Sequence, residues 1–208
     1  IMAFLMISLV SIILPRAIVS IGRIDEVLKT PLTILDPEEP KEGKEKGTVE
    51  FKDVSFRYPD ADGYMLHHIN FKANKGETVA FIGSTGSGKS TLINLIPRFF
   101  EASKGEILVD GVNVKDYDQH DLREKIGYVP QTGVLFSGTI ASNLRYGKED
   151  ATEKEIHEAL DIAQASEFVN KLEKGIESPI SQGGTNVSGG QKQRLSIARA
   201  VIKRPEIY

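Results

Sequence analysis

Gly83, Ser84, Thr85, Gly86, Ser87, Gly88, Lys89 and Ser90 stand in an unbroken G-x-x-x-x-G-K-[ST] order. The strand-like run 77–82 precedes them and the helix-compatible run 91–96 follows, which is the setting a phosphate-binding loop requires. Each residue type has a task in holding a nucleoside triphosphate. The glycines at 83, 86 and 88 let the backbone bend so that successive N–H groups face phosphate oxygens. Lys89 supplies a point charge suited to the β- and γ-phosphates, and the Ser90 hydroxyl suits Mg²⁺. Ser84, Thr85, Ser87 and Thr91 complete the wall of such a site. The plainer alternative, a glycine-rich turn with an incidental lysine, does not account for the flanks.

A second group of residues fits an anion at a helix start. Ser188, Gly189, Gly190 and Gln191 precede a run in which Leu195, Ala198, Val201 and Ile202 fall on one helical stripe. Ser188 is placed to cap that helix, and the two glycines leave its first N–H groups bare. Lys203 and Arg204 suit its C-terminal end, and Pro205 marks its stop.

These elements need a scaffold, and the rest of the chain supplies candidates. Val49, Phe51, Val54 and Phe56 alternate with polar residues except at Asp53, which predicts a strand carrying a bulge. Strands are also expected over 64–73, 77–82 and 106–109, the last before a turn at Asp110 and Gly111. Thr152 and Glu155 form a capping-box pattern ahead of Ile156, Ala159, Leu160 and Ala163, and a shorter helix is expected from Ser166 to Leu172.

Together the motifs resemble the ATP-binding cassette (ABC) transporter family, in its exporter form. Val187 to Gln191 stands where the family has its Leu-Ser-Gly-Gly-Gln signature. Phe56, Arg57, Tyr58 and Pro59 resemble the aromatic loop whose Tyr stacks on adenine. Val129, Pro130 and Gln131 resemble the Q-loop, whose Gln reaches the metal and the attacking water. Leu135 to Ile140, with Asn143 and Leu144, look like the exporter version of the segment that follows.

The resemblance implies an α/β fold: a phosphate-loop (RecA-like) core with an N-terminal antiparallel β subdomain and an inserted helical subdomain, preceded by part of a transmembrane helix. Its implied domains are 1–21, the end of a last membrane helix; 22–47, a helical neck and charged linker; and 48–208, the nucleotide-binding domain, with 132–187 as its helical subdomain. It implies ATP and Mg²⁺ as ligands, with Tyr58 and residues 83–91 on the nucleotide and Ser90 and Gln131 on the metal. It also implies catalytic roles for Gln131 and, acting in trans on a second half-transporter, for Ser188, Gly190 and Gln191. The sequence Ser181 to Asn186 has a Gln-Gly-Gly form that looks more like one subunit of a heterodimeric exporter than a homodimeric one.

Composition agrees with this and excludes other classes. The first fourteen residues carry no charge and only two serines, and the apolar run continues past Pro15 and Arg16 to Ile21. That is enough for much of a membrane span, with lipid as a partner, and Arg16 and Arg23 favour a cytoplasmic exit. Asp36 to Gly47 has almost nothing apolar and reads as a solvated linker. A net charge of −3 with scattered basic residues gives no nucleic-acid footprint. No cysteine is present, and the four histidines lack metal-ligand spacing.

In the family, a strand ending in the Walker B Asp, a catalytic carboxylate and a switch histidine follow the signature helix. These residues stop at Ile207 and Tyr208, where that strand would begin. The chain is therefore expected to bind ATP without turning it over, whereas the parent protein hydrolyses ATP to drive export of a substrate. A soluble ABC ATPase and a non-catalytic binding module are the competing readings; the apolar start and the 135–140 run speak against the first.

Overall fold

The computed structural model describes residues 1–208 and divides into two units, 1–35 and 36–208. The first is dominated by one helix, α1 (Met2–Lys29), none of whose residues is buried. Its most apolar stretch has a mean hydropathy of 2.2, and the helix is long and apolar enough to cross a membrane. Ser11 and Ser20 donate their hydroxyls to the carbonyls of Ile7 and Arg16 at 2.8 and 3.0 Å, so neither leaves a polar group bare on an apolar helix. Pro15 lies within the helix without ending it. The helix runs unbroken through residue 21 and ends at Lys29. Thr30 is extended (ψ 118°), the conformation favoured before a proline, and no helix resumes within 31–47.

In the second unit, β1 (Val49–Phe56), β2 (Leu66–Ala73), β3 (Lys104–Val109) and β4 (Val112–Asn113) form an antiparallel sheet in the order β2-β1-β3-β4. The expected bulge is present. Asp53 sits at φ 52°, and pairing with both neighbours shifts register around it. Asp110 and Gly111, at φ 52° and 79°, make the tight turn between β3 and β4. The sheet buries Phe51, Val54, Phe56, Ile107 and Val109 against Leu92 and Leu95 of α2 (Lys89–Leu95) and Leu122 of α3 (Gln119–Glu124).

A second core is helical. The short strands β5 (Gly138–Thr139) and β6 (Pro179–Ile180) pair beside α4 (Ile140–Arg145), α5 (Glu153–Ile162), α6 (Ser166–Asn170) and α7 (Gly189–Ile202). Ile140, Leu144, Ile156, Leu160, Val169, Leu195, Ala198 and Ile202 fill it. Capping boxes at Thr139/Ser142 and Thr152/Glu155 start α4 and α5.

One sequence expectation is corrected. Residues 77–82 form no strand ladder, and Ile82 is 97% exposed. Their composition favours a strand, but a ladder needs a neighbour's amides and carbonyls, and no other strand lies along them. The parallel part of the core is one bridge, Ile126 to Ile207, in which Gly127 N–H donates to the Ile207 carbonyl and Ile207 N–H to that of Lys125, at 2.8 and 3.0 Å.

The segment 36–47 is exposed, as its composition predicts, yet it is anchored along its length. Asp36 accepts from the Gln119 amide at 2.9 Å. Lys41 donates its amide to the Asp116 carbonyl and its ammonium to the Asp116 carboxylate, at 2.8 and 2.7 Å. A Cβ at Gly43 would collide with Asp110 and the Tyr117 hydroxyl. The buried Asp110 also accepts from the Thr48 amide and the Lys125 ammonium.

Candidate nucleotide-binding site

The loop 83–88 wraps around the amine of Lys89. Lys89 Nζ donates to the carbonyls of Gly83 and Ser84 at 2.8 and 2.7 Å and to Ser87 Oγ at 3.3 Å. All three ammonium donors are thereby aimed into the loop. Gly88 enters α2 at φ 87°, and a Cβ there would lie 2.8 Å from the Leu66 side chain, so both conformation and space require glycine. The amides of Gly86, Gly88, Lys89 and Ser90 donate to no protein acceptor, and residues 82–87 are exposed. A triphosphate fits this donor set: bare amides, three accessible hydroxyls at Ser84, Thr85 and Ser87, and an ammonium at the centre. Ser90 is exposed and without a protein partner, as a metal-ligating hydroxyl can be.

Tyr58 is half-buried beside this loop. Its ring stands edge-on to Phe56 and Phe100, at centroid distances of 4.8 and 5.3 Å, and its hydroxyl lies 3.0 Å from Thr91 Oγ1. The aromatic residue and the first turn of α2 are thus joined directly.

Gln131 is exposed and makes no hydrogen bond, but the chain on either side of it is fixed. Before it, the Tyr128 hydroxyl donates to Asn94 Oδ1 on α2 at 2.7 Å. After it, Gly133 packs on α7, where a Cβ would meet Ser196 Oγ at 2.6 Å and the Lys192 carbonyl at 2.8 Å.

Ser188 and Gln191 form a reciprocal cap at the start of α7. Gln191 N–H donates to Ser188 Oγ at 3.3 Å, and Ser188 N–H donates to Gln191 Oε1 at 2.8 Å. The S-x-x-Q spacing of this box was legible in the sequence beyond the simple cap read there. Gly189 and Gly190 are open: a Cβ on either would meet nothing within 4 Å. The chain's own packing therefore gives no reason for glycine at these two places.

The phosphate loop and Tyr58 are joined through Thr91, Gln131 lies between residues held to α2 and to α7, and no hydrogen bond joins loop 83–88 to the α7 cap. One residue outside the motif reading, Arg199, ties the segment after Gln131 to α7. Arg199 is half-buried, and burial pulls its pKa below the usual arginine value. It donates to the carbonyls of Val134 and Asn143 and to Asn143 Oδ1. No local pattern in the sequence marks it.

The ABC transporter family profile matches residues 66–208. An uncharacterized ABC transporter ATP-binding protein of Mycobacterium bovis is 48% identical, covering 100% of this chain and 36% of its own length. YgaD of Bacillus subtilis, provisionally named as a multidrug export ATP-binding/permease protein, is 43% identical over 93% of this chain and 34% of its own. Among solved structures, a bacterial Atm1-family ABC exporter with ATP bound superposes with a TM-score of 0.83 and 33% identity, over 92% of this chain and 33% of that one. The chain spans about a third of the length of these relatives. Its fold is that of an ABC nucleotide-binding domain with an apolar helix ahead of it. With more than half of its residues matched and the phosphate loop in place, the chain belongs to the ABC transporter family.

Proposed function

We propose that this chain is the ATP-binding part of an ABC exporter, in which nucleotide binding and hydrolysis between two cassettes drive a substrate across a membrane. The observation that carries the reading is the loop around Lys89, with its unbonded amides and accessible hydroxyls. Residues 83–91 bind the phosphates, with Lys89 turning its three donors from two loop carbonyls and the Ser87 hydroxyl to β- and γ-oxygens. Tyr58 lies against the base. Ser90 and Gln131 hold Mg²⁺, which, when bound, offsets the charge on the phosphate oxygens. Ser188, Gly190 and Gln191 close over the nucleotide of a second half-transporter, and the open glycines 189 and 190 leave room for it. The Gln182-Gly183-Gly184 form of the turn 181–186, similar to that of heterodimeric exporters, favours an unlike partner. Helix α1 spans the membrane, with the cassette on the cytoplasmic side.

The test is Ser188→Ala in the intact transporter. ATP affinity stays within about twofold, while hydrolysis falls by on the order of 10² or more, as loss of a transition-state hydrogen-bond donor gives. Hydrolysis at the parental rate would sink the role in trans.

A further inference from the structure

Beyond Gln131, a set of contacts ties residues 134–146 to the later turns of α7. Arg199 Nη1 donates to the Val134 carbonyl at 3.0 Å, Nε to the Asn143 carbonyl at 2.8 Å, and Nη2 to Asn143 Oδ1 at 2.9 Å. Its guanidinium also sits 5.6 and 5.9 Å from the ring centroids of Phe136 and Tyr146. Asn143 is fully buried, and it in turn accepts from Phe136 N–H and donates to the carbonyls of Phe136 and Thr139, each at 2.9 Å. Gly133 presses its backbone onto Lys192 and Ser196, one and two turns into the same helix. No carboxylate pairs with Arg199, so its charge is met by carbonyls and rings alone. Burying a charge this way is costly, and a neutral apolar residue would fill the space more cheaply. What arginine adds is a rigid fork with several donors at fixed angles, suited to holding two chain segments in one geometry.

We propose that Arg199 is a positioning residue: it fastens the segment after Gln131 to α7, so that Gln131 and the Ser188–Gln191 turn keep one fixed separation. The proposal rests on the nucleotide roles given above for those residues. Tyr128 fastens the other side of Gln131 to Asn94 of α2, so the loop is held at both ends with only residues 129–132 between. A nucleotide touching Gln131 then moves the signature turn of the same cassette as part of one body.

Residues 1–208 contain no cysteine, so Thr132→Cys and Gln193→Cys, both at exposed positions, can carry spin labels in the intact protein once any cysteine outside these residues is replaced. Pulsed electron–electron resonance reads their separation with and without ATP, beside ATP affinity and hydrolysis. A single narrow distance, unchanged by ATP, is expected. Arg199→Lys keeps the charge but loses the fork; it broadens or shifts that distance and lowers kcat by about tenfold or more, with ATP affinity within about twofold. A purely structural arginine would change folded yield and melting but leave the label distance and kcat of the folded fraction as in the parent. That outcome overturns the proposal, and so does a parental distance that changes when ATP binds. Should Arg199→Lys fail to fold, Gly133→Ala displaces the same segment from the Lys192 carbonyl and must broaden the distance; an unchanged distance overturns the proposal. Absent ATP binding in the parent would overturn the nucleotide reading instead, because the distance without ATP still reports the clamp.

Discussion

The hydroxyls of Tyr58 and Thr91 meet at 3.0 Å, and Thr91 is 7% exposed, so its polar atom depends on that contact. Tyr58→Phe removes the bond and keeps the ring packing on Phe56 and Phe100; it costs about 0.5–1.5 kcal/mol of stability. Tyr58→Ala loses the rings as well, and it weakens ATP by about 1–3 kcal/mol if the ring stacks on the base. Denaturant midpoints and an ATP titration across the three versions check both; equal values in all would contradict the placement. Residues of this kind were legible to different degrees. Lys89, Ser188 and Gln191 act through neighbours a few positions away, so spacing alone exposed them. Arg199 acts on partners 56 and 65 positions distant, and no local pattern encodes such a contact.

At the scale of elements, local chemistry again reads well and pairing reads poorly. The box at Thr152 and Glu155 was visible as a spacing and starts α5. Glu155 is drawn down from 4.5 to about 2, first by the hydrogen bond from Lys148 and then by the Thr152 amide. Because the folded value lies below the unfolded one, its stabilising effect is complete above about pH 4.5 and is lost as pH falls toward 2. Midpoints measured across that window should therefore fall, and fall less in Glu155→Gln; an identical slope would remove the pairing. The segment 36–47 shows the opposite case, since polar composition predicts exposure but not anchorage. Lys41→Ala breaks the pair with Asp116 and should speed tryptic cleavage after Lys44 and Lys46, modestly because the pair is exposed to solvent. Unchanged cleavage would mean that the strap is not held there. Residues 77–82 have strand-like residues and no ladder, because a strand is completed only by a neighbour.

Across the whole molecule, the sheet core and the helical core are separate, each closed by residues from its own elements. The sheet side leaves Val79, Ile82 and Ile93 exposed around the unpaired run. Amide hydrogen exchange should accordingly be fast at 78–83 and slow in β1; protection at 78–83 in the isolated chain would show a partner strand supplied from within it. The alternation of apolar residues located β1, and the apolar start located α1, because both patterns are local. The order β2-β1-β3-β4 was not readable, since it depends on pairings between distant segments. That the loop 83–91 holds a nucleotide is tested most directly by an equilibrium ATP titration of the intact protein beside its Lys89→Ala version. Loss of charged hydrogen bonding worth ~1.5–3 kcal/mol predicts affinity weaker by about 10- to 100-fold, with the fold retained by circular dichroism. An affinity equal to the parent's would contradict the assignment.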